Sequence, residues 1–463
     1  MAEQSTTRLQ VSGYRFLVRR MEHALVRGDV RMVDDPLRAQ SLSLISGAVL
    51  AVVAVAVCAA LAVLRPAGGL GDASVVVVRE TGAMYVRIDD TVHPVFNLAS
   101  ARLIVGSAAE PRLVAARALQ GVRRGPRLGI PGAPEQIPPP LGPDDADWTV
   151  CDDAAGETTV IAGAPAGARE ARTVLVTPRG ASAATTFLLY DGWRARVDLR
   201  HPAVVRALRL EGVAAQPVSA ALLSVIPEAP AIEPPRIPGA GEPGPRSLRD
   251  HPVGSVVAVA RAGSAGSDYF VVLGGGVQRI GEVAADLIRY TDSRVDQQIP
   301  SVAPDVVGAL PVVDSLPVTT YPDRGGVDRA AVVCAHWRPG TGETGSHTAV
   351  FTPHAVPATS RALPFAGADA AGPGIDAVSV PAGHSAFVRS VGLTGDGQTS
   401  GSLFLVDESG VLFGVRDQDT GTLLGLVGPA EPAPWPVLAL LPRGPELDRD
   451  AASLAVDGFP AAP

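Results

Sequence analysis

Three consecutive glycines, Gly274-Gly275-Gly276, separate the apolar run "YFVVL" from "VQRIGEVAADLIRY". Strand, glycine cluster and helix follow one another in this order where phosphates are bound. There, backbone N–H groups at a helix N-terminus face the anion. A dinucleotide loop requires G-x-G-x-x-G, and Arg279 occupies the place of the third glycine. A Walker loop requires a lysine, and the 463 residues include no Lys. The cluster therefore reads as a hairpin turn. Seven histidines lie beyond residue 65, namely His93, His201, His251, His336, His347, His354 and His384, scattered and mostly in "HP" or turn contexts. Each fits a structural or surface role. No G-x-S-x-G elbow, H-E-x-x-H motif or carboxylate pair is present. No residue is assigned a catalytic, cofactor-binding or metal-ligating role.

Cysteine chemistry is confined to three residues. Cys58 falls in an apolar stretch and reads as a small packing residue. Cys151 in "DWTVCDD" and Cys334 in "AVVCAHW" each sit in a strand-like run with a tryptophan close by. In an oxidising compartment they are expected to pair as a disulfide, which the chain-entropy model values at roughly 5 kcal/mol as an upper figure. The alternatives are two free thiols or a metal site. Without C-x-x-C spacing or a nearby pair of histidines, zinc is poorly served.

The compartment follows from the N-terminal region. From Leu42 to Leu64, "LSLISGAVLAVVAVAVCAALAVL", no charged residue occurs, and Arg38 and Arg65 flank the run. At about 1.5 Å per residue it spans a hydrocarbon core of roughly 30 Å, so a transmembrane helix is expected over 41–65. A cleaved signal would have a shorter apolar region and a shorter leader. Residues 1–40 carry seven Arg against five acids, which places this leader in the cytoplasm and 66–463 outside, in the periplasm of an inner-membrane protein. Beyond the leader, 32 Arg face 42 acids, which argues against nucleic acid as a partner.

Within the leader, Tyr14, Leu17, Val18, Met21 and Leu25 fall on one face of a helix, with Gly28 as its stop. Two readings stand side by side: an apolar face resting on lipid, or a docking surface for a partner protein that uses Tyr14, Phe16, Leu17, Arg19 and Arg20.

Outside the membrane the chain reads as α+β. Aromatics are only 4% while Gly (50) and Pro (42) are frequent, which favours short strands and long irregular connections. A strand, a turn, a second strand and a helix-like segment recur in "MYVRIDDTVHPVFNLASARLIV", "FLLYDGWRARVDLRHPAVVRAL", "YFVVLGGGVQRIGEVAADLIRY" and "LFLVDESGVLFGVRDQDTGTLLGL". Four small β-hairpin-helix repeats are thus expected at 74–120, 183–226, 251–297 and 385–430. Between them, 121–182 and 298–384 are expected to build one strand-rich central domain from two halves of the chain. A Pro-rich connector is expected at 227–250 and a docking tail, or a strand laid against the body, at 431–463.

Five stretches carry a resemblance: "QVSGYRFLVRRMEHALVRGDVRM" in the leader, "MYVRIDDTVHPVFNLASARLI" in the first repeat, "RRGPRLGIPGAP" at 123–134, "WTVCD" at 148–152 and "PWPVLALLPRGPEL" at 434–447. Together, in this order over nearly the whole chain, they look like EccB, the single-span membrane component of the type VII (ESX) secretion system of mycobacteria and related actinobacteria. The resemblance implies a structural subunit that works with an FtsK/SpoIIIE-type ATPase, a multi-span channel subunit and other copies of itself. It also implies repeats like phage cell-wall-binding modules, hence peptidoglycan as a further partner, and a pair of cysteines that match Cys151 and Cys334. The compact length and the wording of the first and third repeats resemble the ancestral-type branch. Some members have been described as ATPases. An ATP-hydrolysing component and a wall-binding envelope anchor are therefore the alternative functions.

Overall fold

The computed structural model describes residues 7–28, 36–64, 70–166, 172–180, 185–261, 263, 266–291, 298–340, 345–396 and 400–457. Parts of the expected leader, of the membrane span, of the second, third and fourth repeats, of the central domain and of the tail lie outside these residues. The chain divides into two compact units, one formed by Met1–Gly71 with Val114–Gln120 and one by Asp72–Leu113 with Gly121–Pro463.

Among the described residues the first unit holds two α-helices, besides the short 3-10 turn Ala116–Leu119. Arg8–Arg27 starts where Gln10 Oε1 accepts the Thr7 N–H at 3.1 Å and stops at Gly28, whose φ of 65° is the left-handed conformation that glycine reaches at no cost. Pro36–Leu64 begins with a proline, whose fixed φ suits a first helical turn, and Ser41–Leu61 is the part long and apolar enough to cross a membrane.

In the second unit one element order occurs in four stretches. The second of them shows it in full. Val174–Pro178, Thr186–Tyr190 and Trp193–Val197 form an antiparallel meander, and helix Pro202–Ala207 follows. Gln216–Val218 then returns parallel to the first strand, and after helix Ala220–Ser224 the strand Glu228–Ile232 returns parallel to the third. In the first stretch the meander is Val75–Val78, Met84–Ile88 and Thr91–Val95, followed by helix Leu98–Val105 and the parallel return Arg123–Arg124. The third stretch has Val256–Ala260, Ser267–Leu273, Gly276–Ile280 and helix Glu282–Thr291, with its returns reduced to parallel bridges at Ser301 and Val312. The fourth has Ala386–Val391, Leu403–Val406, Leu412–Val415, helix Gln418–Leu424 and the return Glu431–Pro434.

Three expected boundaries shift in consequence. Val174–Pro178 pairs with Thr186–Tyr190 and so belongs to the second meander, not to the central domain. Glu228–Ile232 belongs to the same sheet and is not part of a free connector. Most of the expected tail is built into the fourth stretch, through Glu431–Pro434 and the parallel bridges at Arg443 and Leu447. All the return strands sit at sheet edges, and all but Arg123–Arg124 contain prolines, whose missing N–H is tolerated there.

Residues from both halves of the chain build a six-stranded sheet in the order His347–Phe351, Val332–Arg338, Trp148–Asp153, Thr158–Ala162, Ala377–Ser379, Leu363–Pro364. Every residue of Thr158–Ala162 is buried, as expected of a strand covered on both faces. Trp148, Val150, Trp337 and Val378 share one core with Phe187 and Leu222 of the second stretch and Val388 and Val437 of the fourth. A buried side chain of this size contributes about 1.5–3 kcal/mol. The stretches also pack in pairs. Val204 and Leu208 meet Val283 and Leu287, joining second to third, while Ala99 and Leu103 meet Leu424 and Leu426, joining first to fourth. At this last seam the buried Arg102 donates to the carbonyl of Leu424 at 2.7 Å.

Candidate functional site

The glycine run is a hairpin. Leu273 and Gly276 are paired, so Gly274 and Gly275 form the two-residue turn and no helix N-terminus lies at the cluster. The corresponding turn of the second stretch, Asp191-Gly192, takes left-handed φ values of 44° and 81°, the pattern of a primed hairpin turn.

The residues singled out for docking on the N-terminal helix are all exposed: Tyr14 (71%), Phe16 (57%) and Leu17 (55%), with Arg19 and Arg20. Tyr14, Leu17, Met21 and Leu25 line one face, while Phe16 and the two arginines lie off it. The five therefore wrap the helix rather than form one stripe.

Cys151 and Cys334 are bonded, with both residues fully buried. They stand directly opposite each other on Trp148–Asp153 and Val332–Arg338, and those antiparallel strands come from chain positions 183 residues apart. Two buried polar clusters flank the bond. On one side Asp147 accepts from Arg338 Nη2 at 3.1 Å and faces His336 Nε2 at 3.3 Å, while His336 Nδ1 lies 3.0 Å from the Thr149 hydroxyl. Burial pulls the Asp147 carboxyl upward, but the hydrogen bonds and charges of His336 and Arg338 outweigh it and hold the group below its ordinary value. On the other side Asp152 accepts from Arg179 Nη2 and the Ser219 hydroxyl, both at 2.8 Å, and from the Thr158 hydroxyl at 2.9 Å. Here burial prevails and pushes the Asp152 carboxyl up.

These clusters were not singled out in the sequence. The acidic residues beside Cys151 drew no reading, and His336 read only as a structural or surface histidine, although charged residues so near a buried disulfide were a usable signal. The arrangement fixes two strands to each other. Its polar groups face one another within the sheet, and Thr149 beside His336 is fully buried. Among the described residues no group of three or more His, Cys, Asp or Glu is placed to hold a metal ion.

A transmembrane helix with an exposed amphipathic helix before it and a stapled, strand-rich unit after it is the layout implied by the resemblance. The family model "Type VII secretion system ESX-1, transport TM domain B" matches residues 3–461. The chain belongs to the EccB family. Over 99% of its length and 92% of the relative's, it is 37% identical to the "ESX-3 secretion system ATPase EccB3" of Mycolicibacterium smegmatis. The protein of the same name from Mycobacterium tuberculosis is 36% identical over 97% of this chain and 90% of its own. Two solved EccB-like chains have the same fold. One, from an intact ESX-5 inner membrane complex, superposes with a TM-score of 0.72 at 31% identity, covering 100% of this chain and 98% of that one. The other, an EccB3 dimer from the ESX-3 core complex, gives 0.70 at 34% identity, covering 82% of this chain and 100% of that one.

Proposed function

We propose that this EccB-family chain is a structural membrane subunit of a type VII secretion complex. On this reading the leader 8–40, with its helix Arg8–Arg27, holds the cytoplasmic FtsK/SpoIIIE-type ATPase assembly beneath the membrane, and the multi-span channel subunit is a further member of the complex. Ser41–Leu61 crosses the bilayer, and the outer unit packs against other copies of itself in a periplasmic ring. The four stretches of common element order are copies of one module, arranged about the stapled central sheet, and peptidoglycan is a further candidate ligand for them. The observation that carries the reading is whole-length similarity to a chain within an intact inner membrane complex.

The test is mild-detergent extraction of native membranes, sizing of the particle that contains the chain, and mass spectrometry of its companions. A large particle with an FtsK-type ATPase and a multi-span subunit is the expected result. A free monomer would overturn the reading and return the wall anchor and the ATPase to first place, to be separated by cell-wall pull-down and ATP turnover.

A further inference from the structure

The stretches of common element order differ in the segment that follows their first parallel return. In the second, helix Ala220–Ser224 takes that place and buries Leu222 in the core of the central sheet. In the fourth, helix Trp435–Leu438 takes it and buries Val437 in the same core. The first stretch has the short strand Arg112–Val114, the turn Ala116–Leu119 and the return Arg123–Arg124, and here the residues are of another kind. From 111 to 134 the chain holds five of the 32 arginines beyond the leader and none of the 42 acids. This is a basic region in an acidic outer part.

It includes "RRGPRLGIPGAP", in which Ile130 is buried while Arg123, Arg124 and Arg127 are exposed. Arg112 and Leu113 lie on one edge strand of the first sheet. Arg123 and Arg124 lie on the opposite edge, four strand spacings or about 19 Å away. Cations spread over that width suit an extended anionic surface better than a single small anion. Leu113, next to Arg112, is 60% exposed. Contacts at a bilayer surface combine these two features, with cations drawn to anionic headgroups and an apolar side chain at the boundary with the acyl chains.

Reach selects the same surface. Ten residues lie between Leu64, the end of the second helix, and Val75, the start of this sheet, a tether of at most about 40 Å even when fully extended. The other stretches begin at Val174, Val256 and Ala386, far later in the chain. We infer that the basic border of the first stretch, formed by Arg112, Leu113, Arg123 and Arg124, rests on anionic phospholipid headgroups at the outer face of the membrane. The inference rests on the reading of Ser41–Leu61 as a crossing helix and not on assembly with partners.

The test uses the full chain with Cys58→Ser and Leu113→Cys, carrying an environment-sensitive fluorophore at residue 113. It is reconstituted into vesicles of phosphatidylcholine with or without phosphatidylglycerol, and a lipid with a spin label at headgroup depth serves as quencher. The same label at Val427→Cys, a site of the fourth stretch that is 85% exposed, is the reference. Quenching at 113 is expected to exceed that at 427 several-fold with phosphatidylglycerol present, and to fall toward it without that lipid or at high salt. Arg123→Gln combined with Arg124→Gln is expected to lower the contact constant about 30-fold, roughly fivefold per charge removed. Equal quenching at 113 and 427 would overturn the inference, as would quenching indifferent to lipid charge or to the two substitutions. Shielding of residue 113 in a detergent-extracted complex, without quenching in anionic vesicles, would assign the patch to an acidic protein instead and overturn it too. A chain that fails to float with the vesicles would refute the crossing helix itself.

Discussion

In the outer unit the large aromatic and aliphatic side chains disappear from solvent: Trp148, Trp337, Phe351 and Leu222 are all at or below 2% exposure. In the N-terminal helices they do the opposite, with Leu25 at 86%, Leu9 at 85% and Val52 at 69%. The strand-rich unit supplies its own apolar environment, through a central sheet and stretches that pack in pairs. The helices leave their large side chains exposed: Ser41–Leu61 is long and apolar enough to lie in lipid, and Arg8–Arg27 shows its own to the surroundings. Defects in the outer unit should therefore appear as lost stability, and defects in the helices as lost location or company.

The sharpest way to break that division is Cys151→Ser. Opening a covalent loop of 183 residues is expected to cost roughly 5 kcal/mol at most. The variant should leave Cys334 reactive to maleimide and render the outer unit protease-sensitive, yet it should still integrate into the membrane. Equal protease resistance in both forms would show that the sheet holds without its staple. Val53→Arg works in the other direction. A central arginine disfavours insertion by about 2.5–3.5 kcal/mol, so alkaline carbonate should release part of the protein while the outer unit, wherever made, keeps its folded protease pattern.

Asp147→Asn tests the uncovalent half of the seam. The folded carboxyl lies below its ordinary value, so it contributes stability at pH above about 3.9 and loses that contribution as pH falls through its lower folded value. The variant should be less stable by about 1–3 kcal/mol at neutral pH. In urea titrations the gap to wild type should close on acidification below about pH 4. A gap independent of pH would mean that shape rather than charge matters at residue 147. The smallest effect is expected of Leu17→Glu, which should weaken retention of the cytoplasmic partners about tenfold, or about 1.4 kcal/mol, without altering urea stability. Unchanged co-purification would favour lipid as the resting place of that helix.

What could be read from the sequence was mainly local. The uncharged run around Val53, the turn residues Asp191-Gly192 and the apolar face of Glu282–Thr291 each encode their structure within a few neighbours. The parallel returns were missed because "EAPAI" and "EPAP" have no strand periodicity, and their pairing depends on a strand already formed some 30 to 45 residues earlier. The union of first and fourth stretches was hidden for a similar reason, since Arg102 and Leu424 lie 322 residues apart. At the candidate site the cysteine pair was legible from residue type. Asp152 and Arg179 were not, because a buried ion pair and a solvated one look identical until partners are known.

The central sheet interleaves strands from near residue 150 with strands from beyond residue 330. Synthesis from the N-terminus delivers Trp148–Asp153 long before Val332–Arg338. Until the later strand arrives, the earlier one has a bare edge and Cys151 lacks its partner. Closing the sheet thus waits on the last third of the chain, and the disulfide records that the two halves have come together in register.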